Sequence, residues 1–98
     1  MAAELTITEG EDNSVVLAGE IDTHTSPLLE DRLLALADSS SVTLDLTAVT
    51  FISSAGLTAM LATRRRLQAA GGSLSVQNPT PAVERMFTLS GLSDLLTG

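Results

Sequence analysis

The run Val42-Thr43-Leu44-Asp45-Leu46 constrains this chain most, because apolar and polar residues alternate strictly and the segments on either side do not. Alternation with a period of two places every second side chain on one face of a strand. Before it, Leu29, Leu33, Leu36 and Ala37 recur every three to four residues. After it, Leu57, Met60, Leu61 and Leu67 do so as well, the pattern of a helix with one buried face. A strand held between two amphipathic helices is the unit of an α/β domain. Such a unit predicts parallel pairing and right-handed crossovers.

The rest of the chain extends that pattern. Leu5-Thr6-Ile7-Thr8 and Val15-Val16-Leu17-Ala18 are short strand-like runs. They flank the turn-like Gly10-Glu11-Asp12-Asn13-Ser14, which predicts a hairpin. Gly19-Glu20-Ile21-Asp22 is expected to lead out of the sheet. Ser26-Pro27 reads as a helix start, with Ser as the cap and Pro at the first helical position, and Ser39-Ser40-Ser41 as its end. Thr47 to Ser54 is expected to be a connecting loop. A second helix should run from about Ala55 to Ala70, stopped by Gly71-Gly72. Ser73-Leu74-Ser75-Val76 is a further strand. Asn78-Pro79-Thr80-Pro81 opens a third helix, with Val83, Met86 and Phe87 on one face, and Gly91 closes it. Asp94-Leu95-Leu96 is a short last element. The order is ββαβαβα, with a core expected to hold Leu17, Leu33, Leu44, Leu46, Leu61, Val76 and Phe87.

Composition narrows the function. Twelve acidic residues face five basic ones, all arginine, for a formal charge of −7. A chain of that charge repels phosphate backbones and anionic lipid, which argues against nucleic acid or a membrane as partner. The two aromatics, Phe51 and Phe87, provide no stacking platform for bases. The absence of cysteine removes disulfides and thiolate metal sites. Neither a signal-like N-terminus nor an apolar run near the ~20 residues of a membrane span is present. A cytoplasmic protein is expected.

Catalysis finds little to work with. The one histidine, His24, sits in the polar loop Asp22-Thr23-His24-Thr25-Ser26. Ile52-Ser53-Ser54-Ala55-Gly56 lacks the first glycine of a nucleophile elbow. The carboxylates are scattered, and neither metal-ligand spacing nor a phosphate-cradling glycine loop is present, so no cofactor is expected. Arg64-Arg65-Arg66 falls in the second half of a helix, where cations complement the helix dipole. The segment that remains is Val49-Thr50-Phe51-Ile52-Ser53-Ser54-Ala55-Gly56-Leu57, a polar tip opening straight into an amphipathic helix. Ser54 is placed there as the expected N-cap.

Gly19-Glu20-Ile21-Asp22-Thr23-His24-Thr25, Leu44-Asp45-Leu46 and Phe51-Ile52-Ser53-Ser54-Ala55-Gly56-Leu57, followed by Asn78-Pro79-Thr80-Pro81-Ala82-Val83 and Leu89-Ser90-Gly91-Leu92, together resemble the STAS-domain family. Within it they are most similar to the stand-alone bacterial anti-sigma factor antagonists. The resemblance implies one STAS domain over residues 1–98, with a mixed sheet of about four to five strands and about three helices. It also implies a regulator and not an enzyme. Such proteins bind an anti-sigma factor that is a serine/threonine kinase, freeing the sigma factor in stress response or sporulation. They are released when the kinase phosphorylates a serine that falls here on Ser54, and a metal-dependent serine phosphatase restores them. The resemblance places partner contacts on Asp22, Thr23, His24, Thr25, Ser53, Ser54, Ala55, Gly56 and Leu57. Two positions depart from the family pattern: Ser53 stands where many members have aspartate, and Ala55 where they have Ser or Thr. Ser53 is therefore a competing acceptor to be tested. Members also often continue into a further helix beyond the last strand. The alternative within the family is an interaction module of another kind, a stressosome scaffold or a transporter-associated subunit, without the serine switch.

Overall fold

The computed structural model describes residues 5–10, 13–36 and 41–91. Its elements follow the expected order: β1 (Leu5–Glu9), β2 (Ser14–Ile21), α1 (Ser26–Leu36), β3 (Ser41–Ile52), α2 (Ser54–Ala69), β4 (Ser73–Gln77) and α3 (Pro81–Leu89). The sheet runs β1-β2-β3-β4, with the first pair antiparallel and the other two parallel. In the parallel part, strands separated by helices all point the same way. The C-terminal ends of β2, β3 and β4 and the N-terminal ends of the helices that follow them therefore gather at one end of the molecule.

One face of the sheet is apolar and covered. Val15, Leu17 and Ile21 of β2, Val42, Leu44 and Leu46 of β3, and Leu74 and Val76 of β4 are buried in one cluster with side chains from all three helices. Leu29 and Leu33 come from α1, Leu57, Met60 and Leu67 from α2, and Val83 and Phe87 from α3. The expected core residues are buried, with one exception: Leu61 is half-buried, on the shoulder of α2, because Leu57, Met60 and Leu67 take the inward stripe. Ala37 and the expected last element Asp94-Leu95-Leu96 lie outside the described residues, as does the Leu36 side chain.

Two expected boundaries move. Gly19, Glu20 and Ile21 do not leave the sheet but pair with Val49, Phe51 and Ile52. Thr47 to Ile52 is correspondingly strand and not loop. Two bulges conceal this strand from a period-two pattern. Val16 pairs with Asp45 and Ala18 with Ala48, so β3 carries an extra residue between them; Gly19 then pairs with Val49 and Glu20 with Phe51, leaving Thr50 as a second extra residue. Each insertion shifts the alternation by one, so the buried residues of β3 run 42, 44, 46, 49, 52. Asp45 pins the first bulge: one carboxylate oxygen accepts the Thr47 hydroxyl at 2.6 Å and the Thr47 N–H at 2.9 Å. The Thr47 hydroxyl foremost, with its N–H and the Asn78 side chain, holds the Asp45 carboxyl below its ordinary pKa.

Helix α2 ends as its two glycines predict. Gly71 takes φ +92° and donates to the Gln68 carbonyl, while Gly72 N–H reaches the Leu67 carbonyl at 2.7 Å. That pair of bonds is a Schellman motif, which requires the left-handed residue that glycine supplies without strain.

Candidate functional site

The end of the sheet where β2 and β3 finish side by side is built from two capped turns. The first is Asp22-Thr23-His24-Thr25. One Asp22 carboxylate oxygen accepts the N–H groups of His24 and Thr25, each at 2.9 Å. The Thr25 hydroxyl oxygen accepts the Asp22 N–H at 2.9 Å, and its proton reaches the Glu20 carbonyl at 2.9 Å. These reciprocal bonds form a capping box with Thr in place of the usual Glu or Gln. The Ser26 N–H then bonds the Asp22 carbonyl and the Leu29 N–H the Thr25 carbonyl, so the helical turn runs on into α1. Ser26 is accordingly the first residue of the helix and not its cap, and Pro27 comes second. The Asp22–Thr25 spacing carries the signal that Ser26-Pro27 obscured.

The Asp22 carboxyl is held below its ordinary pKa. The backbone N–H of Thr25 contributes most, against an opposing push from desolvation; the His24 N–H, the Thr25 hydroxyl and the His24 side chain add to the lowering.

The second turn starts α2, and here too the cap moves by one residue. Ser53, in extended conformation, is the N-cap: its hydroxyl accepts the Gly56 N–H at 3.2 Å and its carbonyl accepts the Leu57 N–H. Ser54 is the first helical residue. Its side chain is exposed, and its hydroxyl has no hydrogen-bond partner among the described residues. Serine ranks alike at either position on capping preference, so the sequence alone does not separate the two. Ser54 thus stands at the helix start, the end that carries free N–H groups and the positive end of the dipole.

The two turns are joined directly. The Ser53 N–H donates to the Ile21 carbonyl at 2.8 Å, where β2 and β3 end as an Ile21–Ile52 pair. Gly56 lies on the same spot: a Cβ there would sit 2.7 Å from Ile21 Cγ2, 2.9 Å from Ile52 Cγ1 and 3.0 Å from the Ile21 carbonyl oxygen. Only a residue without a side chain lets the first turn of α2 sit this close to the sheet.

All nine residues expected at the site thus occupy one end of the molecule, but they divide by exposure. Thr23, His24 and Ser54 are exposed, and Asp22, Ser53 and Ala55 are partly so. Thr25, Gly56 and Leu57 are buried and shape the surface without presenting it. Thr80 supports this end unforeseen, its hydroxyl donating to the Val49 carbonyl at 2.9 Å and fixing the approach to α3. Among the described residues there is no group of three or more His, Asp or Glu that could hold a metal ion. No described helix is long and apolar enough to cross a membrane.

The chain matches a family model described as "Mlab, STAS domain" over residues 6–97. It is 33% identical over 86 residues to the anti-sigma-B factor antagonist of Bacillus subtilis, covering 87% of this chain and 79% of that protein. Among solved structures, an anti-sigma factor antagonist from Mycobacterium paratuberculosis is 31% identical with a TM-score of 0.77, covering 97% of this chain and 83% of the other. The anti-sigma factor antagonist SpoIIAA shares the fold. Its unphosphorylated form is 22% identical with a TM-score of 0.78, over 96% of this chain and 86% of the other. Its phosphorylated form, from Bacillus, is 21% identical with a TM-score of 0.71, over 96% of this chain and 89% of the other. With the family model spanning nearly the whole sequence, this chain belongs to the STAS-domain family.

Proposed function

We propose that this protein is an anti-sigma factor antagonist switched by phosphorylation of Ser54. Unmodified, it binds an anti-sigma factor that is also a serine/threonine kinase, and the sigma factor is released. The kinase then phosphorylates Ser54, the complex separates, and a metal-dependent serine phosphatase resets the protein. The observation that carries this reading is the contrast between adjacent serines. Ser53 is engaged as the cap of α2, whereas Ser54 is exposed, without a hydrogen-bond partner for its hydroxyl among the described residues, and set at the helix start beside the Asp22 turn. The relatives named as anti-sigma factor antagonists, and the existence of SpoIIAA in both unphosphorylated and phosphorylated forms, support the same reading.

The physics of the switch is local. A phosphate adds roughly −1.5 to −2 charges at pH 7. At Ser54 it would meet free N–H groups, so the fold tolerates it without rearrangement. A partner docked over the same spot would have to bury a hydrated dianion. A loss of about 3–4 kcal/mol there weakens binding a few hundredfold.

Incubation with ATP and a purified anti-sigma serine kinase, followed by intact-mass measurement and peptide mapping, tests this. One phosphate on Ser54, none on the Ser54→Ala variant, and a complex that persists only for that variant are expected. Ser54→Asp should weaken binding partially, since a carboxylate is smaller and less charged than a phosphate. Phosphate on Ser53 would overturn the site assignment. No phosphate at all would favour a STAS interaction module without the serine switch.

A further inference from the structure

The second bulge of β3 has a consequence at this same end. Were β3 regular beyond Val49, which faces the core, Phe51 would face the core as well. Thr50 is the extra residue, so Phe51 turns out to the open face opposite Glu20, and Ile52 returns to the core fully buried. Phe51 is 46% exposed, whereas the other aromatic of the chain, Phe87, is completely buried. Bulges near functional sites commonly re-aim a side chain, and this one aims a large apolar ring into solvent three residues before Ser54.

The charges around it are one-sided. Residues 18–26 and 48–57, which build this end, contain Glu20 and Asp22 but no arginine or lysine. Arg32 is tied to Glu9 near the hairpin, at the far end of the sheet from the Ile21–Ile52 pair. Arg64, Arg65 and Arg66 begin ten residues along α2 from Ser54, about 15 Å by helical rise, and Arg85 stands on α3, which packs on the covered face of the sheet, opposite the face that Phe51 occupies.

We propose that Phe51 is a hydrophobic anchor of the surface that binds the anti-sigma kinase. The partner meets it with an apolar socket bordered by cations facing Glu20 and Asp22. This rests on the reading of Ser54 above and adds a residue outside the loop that carries the acceptor. An aromatic side chain desolvated inside a ring of polar contacts is the usual form of an interface hot spot. The arrangement also makes the switch economical, because a phosphate on Ser54 brings its charge to the rim of the socket that must stay dry.

The test measures the affinity of the full chain for a purified anti-sigma serine kinase by calorimetry, for wild type, Phe51→Ala, Phe51→Tyr and Val16→Ala. Val16 is the exposed apolar control, on the same open face but near the other end of β2. Phe51→Ala should weaken binding by about 30-fold or more, with its thermal unfolding midpoint close to that of wild type. Phe51→Tyr keeps the ring and should retain most of the affinity, and Val16→Ala should stay within about twofold. Wild-type binding with Phe51→Ala within about twofold of it would overturn the anchor while leaving the Ser54 reading intact. Kinase affinity unchanged in Phe51→Ala, with self-association lost, would assign the ring to a second copy of the chain and overturn the proposal. If wild type binds no such kinase, the reading of the proposed function fails first and the anchor with it.

Discussion

The two halves of β3 follow different rules. Ser41 to Leu46 alternates in register with both neighbours, its buried side chains two residues apart and its partner β4 regular along its whole length. Thr47 to Ile52 pairs only with β2, around two inserted residues, and ends in a serine that caps a helix seated on the strand end through a glycine. The first half is core scaffold. The second gives up regular alternation to direct individual side chains: Val49 and Ile52 inward, Phe51 outward, Ser53 into a cap and Ser54 into solvent. Substitutions in the first half should therefore act on stability, and those in the second on binding, geometry, or both.

The largest stability effect is expected from the regular half. Leu44 is fully buried between helices and sheet, and Leu44→Ala should cost about 2–5 kcal/mol by lost transfer energy and an incompletely collapsed cavity. Denaturant unfolding measures this. Kinase affinity of the fraction that remains folded should be unchanged. A binding defect in folded Leu44→Ala would break the division between the halves.

What the sequence made legible follows the same line. Val42 to Leu46 announced its strand because nothing interrupts its period. Thr47 to Ile52 did not, because each bulge resets the phase and the run reads as aperiodic polar loop. The family resemblance nevertheless located Ser54 and the Asp22 turn correctly at one end, since it rests on motif order and not on alternation. Exposure was beyond its reach. The resemblance put Gly56 and Leu57 among the partner contacts, yet both are buried: Gly56 by the close approach of α2 to Ile21, and Leu57 on the inward stripe that the helical period had already given it. The cap of α2 was expected at Ser54 and falls on Ser53, because capping chemistry is the same for each.

Gly56→Ala comes next and sits on the boundary between scaffold and site. The added methyl would fall against the side chains of Ile21 and Ile52, both fully buried, and the Ile21 carbonyl oxygen, so α2 has to lift. Overpacking of this kind costs about 1–3 kcal/mol. Because the same shift carries Ser53 and Ser54 away from the Asp22 turn, the phosphorylation rate should fall with stability. An unchanged rate in a destabilised Gly56→Ala protein would show that the two turns need not be held together.

Ser53→Ala separates the cap from the proposed acceptor. Losing the bond to the Gly56 N–H should cost about 1 kcal/mol, read as a lower denaturant midpoint. Phosphate should still arrive on Ser54, and Ser53→Gly should cost less than Ser53→Ala. The comparison of the two halves sharpens if this variant loses stability while keeping the switch, a combination that a shared acceptor role would not give.

The smallest effect is expected at Asp22 and depends on pH. Its carboxyl is held below the ordinary value chiefly by the Thr25 N–H, so the folded state binds this proton less readily than the unfolded chain. The sign follows from that difference. The stabilisation is present in full above the unfolded pKa of about 4, and is lost as pH falls through the lower folded value. Asp22→Ala should therefore lower the thermal midpoint at pH 7, and the gap to wild type should close on acidification below about pH 4. The variant should also loosen the turn beside Ser54, because the N–H groups of His24 and Thr25 lose their shared acceptor. Amide exchange at those two positions, faster in Asp22→Ala than in wild type at neutral pH and equal in both at low pH, would tie the acid response to this turn. A constant gap between the two proteins from pH 7 to pH 3 would place it among the other carboxylates instead.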